Sequence, residues 1–191
     1  MYKKLTKKNY KSYEADFISL KDIRLNIFIQ EIVSSGDVSY SELDFSPSSL
    51  TTVWRYVYPK IEMVSPVPNY PEDQIPIWFY LHEDAIHTHD RGYTLKTLWL
   101  IDGLVYYFGE VFIQNNEELK WEAFYEPNSR IDYQYKPVIK GLTKNYIYPF
   151  YQVFTSAVRT WIDDEDVSSE LSETNLFDLY ENLINLEKYA S

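Results

Sequence analysis

The stretch Leu98-Trp99-Leu100-Ile101-Asp102-Gly103-Leu104-Val105-Tyr106-Tyr107-Phe108-Gly109-Glu110-Val111-Phe112-Ile113 is apolar at nearly every position. A helix on a protein surface carries one apolar stripe, whereas a helix apolar all round sits inside. Thr94 ahead of the run and Asn115-Asn116 behind it predict a helix over about residues 94–115. Asp102 and Glu110 interrupt the run, which is too short and too charged for a membrane span. The spacing therefore predicts a buried central helix wrapped by other elements.

The flanking sequence supplies the wrapping. Phe17, Leu20, Ile23, Ile27 and Ile32 recur at helical spacing over 13–35, and Gly36 is a natural stop. Ser46-Pro47 reads as an N-cap followed by a proline in the first helical position. Leu50, Val53, Trp54 and Val57 then line one face of a second helix ending near Pro59. Four prolines in 65–76 mark a loop, taken here as internal to a single domain, and Ile77–Leu81 reads as a short strand or the start of a helix. After the central helix, Leu119, Trp121, Ala123 and Tyr125 share one side of a strand by period two. Residues 131–135 and 137–142 are further strand candidates. Phe150, Val153, Phe154, Ala157, Val158 and Trp161 form a helical stripe opened by Pro149. Leu176, Leu179, Tyr180 and Leu183 line a last helix capped by Ser172 or Thr174. The expectation is an α+β fold: a central long apolar helix, packed by other helices, with a small antiparallel sheet. Residues 1–191 form one domain, with a basic arm at 1–13 and an acidic loop and C-terminal helix at 163–191.

Leu100-Ile101-Asp102-Gly103-Leu104-Val105-Tyr106-Tyr107-Phe108-Gly109, followed by Lys120-Trp121-Glu122, resembles a block in an uncharacterised bacterial protein family common in actinobacteria. That block is a helix of the form I/V-D-G-L-x-x-Y-x-G and then a Trp-containing strand. Leu43–Leu50 is similar to the family's start of a helix, Lys136–Leu142 to its x-P-V-x-x-G strand, and Tyr148-Pro149-Phe150 to a helix opening. The resemblance spans about residues 41–160. It implies no activity and carries no functional residue across.

Composition narrows the function classes. The 45% hydrophobic share is that of a globular chain. With no Cys, disulfides, thiol catalysis and thiolate metal sites are excluded. The basic N-terminus has no apolar run behind it, so it does not read as a secretory signal, and a cytoplasmic location is expected. A net charge of −11 argues against nucleic acid as partner. Residues 1–11 hold five Lys and no acid, while 163–191 hold nine acids and one Lys. No phosphate-loop or dinucleotide glycine pattern occurs, so no cofactor is expected.

Asp102, Tyr106 and Glu110 are the catalytic candidates. They lie four residues apart, and eight residues offset the two acids by about 80° on a helix. Paired carboxylates beside a Tyr suit general acid–base work where burial raises one pKa. The alternative is that each acid bonds a cation or backbone group, with Arg130, Lys136, Lys140 or Arg159 as partner, and fixes the helix in place. Gly103 and Gly109 read as points of close approach. His82, His87 and His89 are a metal candidate set without the helical H-E-x-x-H spacing. Asp163-Asp164-Glu165-Asp166 is a docking candidate for a cationic partner.

The leading expectation is a non-catalytic protein-binding module, in concrete form an immunity protein or antitoxin that neutralises a basic toxin. The alternatives are a small hydrolase using Asp102 and Glu110 in a cleft, and a structural or regulatory subunit of an oligomer.

Overall fold

In the computed structural model, residues 4–82, 90–127, 130–131, 133–141, 146–159 and 173–190 are described. Helix α1 spans Tyr10–Ser34, α2 Ser49–Val57, α3 Leu95–Asn115, α4 Pro149–Arg159 and α5 Asn175–Ala190. Strands β1 (Met63–Val64) and β2 (Gly92–Tyr93) pair antiparallel. So do β3 (Lys120–Ala123) and β4 (Pro137–Lys140), with Trp121 opposite Ile139. The fold is α+β, as the sequence predicts.

α3 is the centre. Thr94 caps it, its Oγ1 accepting from the Thr97 N–H at 3.2 Å. Every residue from Leu100 to Phe112 is buried. α1 and α4 pack along it, while α2 and α5 close a further side. One continuous core runs from Tyr13 in α1 to Tyr180 in α5. The glycines permit close approach. A Cβ on Gly103 would fall on the Phe28 ring of α1, and one on Gly109 would fall inside the indole of Trp121.

The ends of the elements follow local chemistry. Gly36 takes φ +84° just past α1, and its N–H returns to the Val33 carbonyl. α2 opens with tight i to i+3 bonds from Ser49 and Leu50 back to Ser46 and Pro47, and the Ser46 Oγ also accepts from the Ser49 N–H. The proline-rich loop lies against the molecule: the Tyr70 hydroxyl donates to the Tyr93 carbonyl, and the Trp99 indole donates to the Gln74 carbonyl.

Three expectations need correcting. The basic arm is shorter than 1–13, because Asn9 bonds Thr6 and Lys4 in a turn and α1 starts at Tyr10. Of the strand candidate 131–135, residues 133–135 are turn rather than strand: Gln134 donates to Ile131, Lys136 donates to Tyr133, and Tyr135 sits at φ 70°. β3 stops at Ala123, so Tyr125 leaves the period-two face and joins Tyr10 and Tyr135 in a cluster of three mutually contacting rings. Ile77–Leu81 resolves as a 3-10 turn over Phe79–Leu81. Among the described residues, no helix is long and apolar enough to cross a membrane.

Candidate functional site

Asp102, Tyr106 and Glu110 all meet α1, each through a different bond. Tyr106 is fully buried and donates its hydroxyl to the Phe17 carbonyl at 2.9 Å. Burial pushes its phenol far above the ordinary tyrosine range, so it serves as a fixed neutral donor.

The two acids form parallel arrangements, each with an indole and a cation. The Trp78 indole donates to Asp102 Oδ1 at 2.9 Å, and Arg24 Nε stands 3.9 Å from Oδ2. The Trp121 indole donates to Glu110 Oε1 at 2.9 Å, and Lys21 Nζ lies 3.0 Å from Oε2. Lys21 and Arg24 are one turn apart on α1, on the stripe that also carries Phe17 and Phe28. Two of the partners expected from the sequence are engaged elsewhere: Lys140 binds Glu122, and Lys136 lies over the Tyr148 ring. The arginine and lysine that pair with the acids belong instead to α1. Their sequence signal is that Phe17, Lys21, Arg24 and Phe28 recur at intervals of four, three and four, which puts two cations on a core-facing stripe.

The two sites differ in completeness. Glu110 has a donor on each oxygen. Asp102 is 2% exposed, and its Oδ2 accepts no hydrogen bond. Burial raises its carboxyl to about 7, opposed by the Arg24 charge and the Trp78 bond. Asp102 lines a cleft of about 460 Å³ between α1 and α3. Arg24, Ile27, Phe28, Lys96 and Trp99 are among its other walls. Arg24 lies over the Trp99 ring at 4.0 Å.

Asp102 and Glu110 lie about 12 Å apart along the helix axis, from eight residues of 1.5 Å rise. That exceeds the span of about 5–9.5 Å at which paired carboxylates share one bond in glycoside hydrolysis. The geometry makes them two separate anchors between α1 and α3.

His82 is turned inward. Its Nε2 lies 2.6 Å from the Tyr148 hydroxyl, and its ring stacks on Phe150 at 3.8 Å. Desolvation, followed by the Lys136 charge, lowers its pKa to about 2, so it stays neutral. His87 and His89, and the acidic run Asp163, Asp164, Glu165 and Asp166, lie outside the described residues. Among the described residues, no group of three His, Asp or Glu is placed to hold a metal ion. No protein-family model, no curated protein and no solved structure matches the chain.

Proposed function

We propose that this chain is a non-catalytic protein-binding module of the cytoplasm, in concrete form an immunity protein or antitoxin for a basic partner. The observation that carries this reading is the outer face of α1. Ile23 and Ile27, one turn apart, are 56% and 52% exposed on a helix whose inner face is locked to the core. Ile18 extends the same helix's exposed apolar surface. Branched aliphatic side chains held on a rigid helix suit the centre of an interface, where water is excluded. The net charge of −11 would steer a basic partner toward them. A hydrolase built on Asp102 and Glu110 draws no support from two acids held apart in separate bonding sets.

The test is to mix the chain with the product of the adjacent gene on a sizing column at low and high salt. A complex that weakens with salt, and that an Ile23→Asp, Ile27→Asp double variant fails to form, supports the reading. Absence of a complex at both salts counts against it, as does a complex indifferent to the double variant.

A further inference from the structure

The α1–α3 cleft holds a feature that the two structural anchors do not use. At its buried end stand Asp102 Oδ2, which accepts no hydrogen bond, and the guanidinium of Arg24, 3.9 Å away. That separation is too long for a hydrogen bond. Among the described residues, Arg24 has this ion pair and its stacking on Trp99, and no hydrogen bond. An acceptor oxygen and a donor fork, neither hydrogen-bonded within the chain, therefore sit side by side; the guanidinium is charged throughout and the carboxyl above about pH 7. Nearer the rim, Lys96 and Glu31 repeat the mixture of signs, 3.6 Å apart. Ile27, Phe28 and the Trp99 ring supply apolar walls. The cleft's volume falls within the range of about 300–1,000 Å³ typical of small-molecule sites.

A purely cationic ligand would meet Arg24 and Lys96, and a purely anionic one would meet Asp102 and Glu31. A ligand with both charges on neighbouring atoms satisfies both. We infer that the cleft binds a free α-amino acid with an apolar side chain. Its ammonium donates to Asp102 Oδ2, its carboxylate accepts from Arg24, and its side chain lies against Ile27, Phe28 and Trp99. Both polar contacts are charge-assisted, and the carboxylate–guanidinium pair can be bidentate. The ammonium supplies the donor that the buried Asp102 oxygen lacks. The cleft adjoins the proposed protein interface and shares Ile27 with it, whereas Arg24, Asp102 and Trp99, the residues varied below, are not among the residues whose exposure defines that face.

Isothermal titration of the full chain at pH 8 with L-phenylalanine, L-leucine and L-tryptophan tests the inference. Phenethylamine, which lacks the carboxylate, and 3-phenylpropanoate, which lacks the ammonium, are the controls. At least one amino acid should bind saturably, with both controls at least tenfold weaker than phenylalanine or silent. Arg24→Gln should weaken the amino acid at least tenfold and leave phenethylamine unchanged. Asp102→Asn should weaken the amino acid at least tenfold and weaken phenethylamine while sparing 3-phenylpropanoate, and Trp99→Leu should weaken the amino acid and both controls. Arg24 and Trp99 are partly exposed, so their variants keep the test decisive if Asp102→Asn does not fold. Failure of all three amino acids to bind would overturn the assignment. So would binding that ignores the loss of either charged group, or binding that Arg24→Gln and Trp99→Leu leave unchanged.

Discussion

At the scale of single residues, Glu110 and Lys21 show what a buried charge needs. Glu110 is buried and takes one bond from the Trp121 indole and one from Lys21. A carboxylate that loses its cation while still buried is worse than no carboxylate, because the desolvation already incurred is no longer offset. Lys21→Met should therefore cost about 3 kcal/mol, near the low end for breaking a buried pair because Lys21 keeps some solvent contact. Glu110→Gln retains an acceptor for the indole and removes the charge, so its cost should be about 1 kcal/mol. The double variant Lys21→Met, Glu110→Gln should be more stable than Lys21→Met alone, a coupling that urea unfolding of the four proteins measures. Equal costs for the two single variants would mean that the pair is solvated and contributes little.

At the scale of elements, α3 is held by close approach as much as by charge. Alanine is normally the better helix former than glycine by about 1 kcal/mol. At Gly109 the added methyl would fall inside the Trp121 ring, and that ring is tethered by its own bond to Glu110. Overpacking of this kind costs about 1–3 kcal/mol, so Gly109→Ala should lower stability despite the propensity gain. Adding Trp121→Phe to Gly109→Ala should recover part of the loss by shortening the ring. A Gly109→Ala protein with an unchanged or raised melting temperature would show that β3 is not pinned against α3. The elements themselves were legible where periodicity was strong. α3 could be recognised because it is apolar on every side, and α2, α4 and α5 because of their stripes. α1 could be recognised as a helix but with the wrong face, since Ile23 and Ile27 of the expected stripe are exposed and Leu25 and Phe28 are buried in their place. Asp102 and Glu110 stood out as acids in an apolar run. Their partners did not, because a cation on a helix reads as solvated until the opposing surface is known, and Trp78 and Trp121 reach the acids from other elements. Residues 131–135 misled for a physical reason: Tyr133 and Tyr135 alternate as strand residues do, yet their rings pack as the two arms of a turn, Tyr133 on Phe124 and Tyr135 on Tyr125.

At the scale of the whole molecule, two buried groups pull the pH dependence of stability in opposite directions. Asp102 holds its proton to about pH 7 when folded but gives it up near the ordinary aspartate value of 3.8 when unfolded. Between those values unfolding releases a proton, so this group makes stability fall as pH rises. His82 does the reverse: it stays neutral down to about pH 2 when folded and takes a proton below 6.5 when unfolded. Between those values unfolding takes up a proton, and stability rises with pH. The two windows overlap from about pH 4 to pH 6.5, where the opposing slopes offset each other. The wild-type protein should therefore show a plateau across that interval, bounded by loss of stability on further acidification. Asp102→Asn removes one of the two slopes. It keeps an acceptor for the Trp78 indole and leaves Arg24 able to turn toward solvent. The plateau should become a continuous rise from pH 4 to about 6.5. The variant's advantage over wild type should widen from near zero at pH 4 to about 4 kcal/mol at pH 8, taking 1.36 kcal/mol per pKa unit. Chemical unfolding of both proteins at pH 4, 5, 6 and 8 reads this difference directly. Parallel curves for the two proteins would mean that Asp102 is ionised across the whole range, and that Arg24 compensates the buried charge in full.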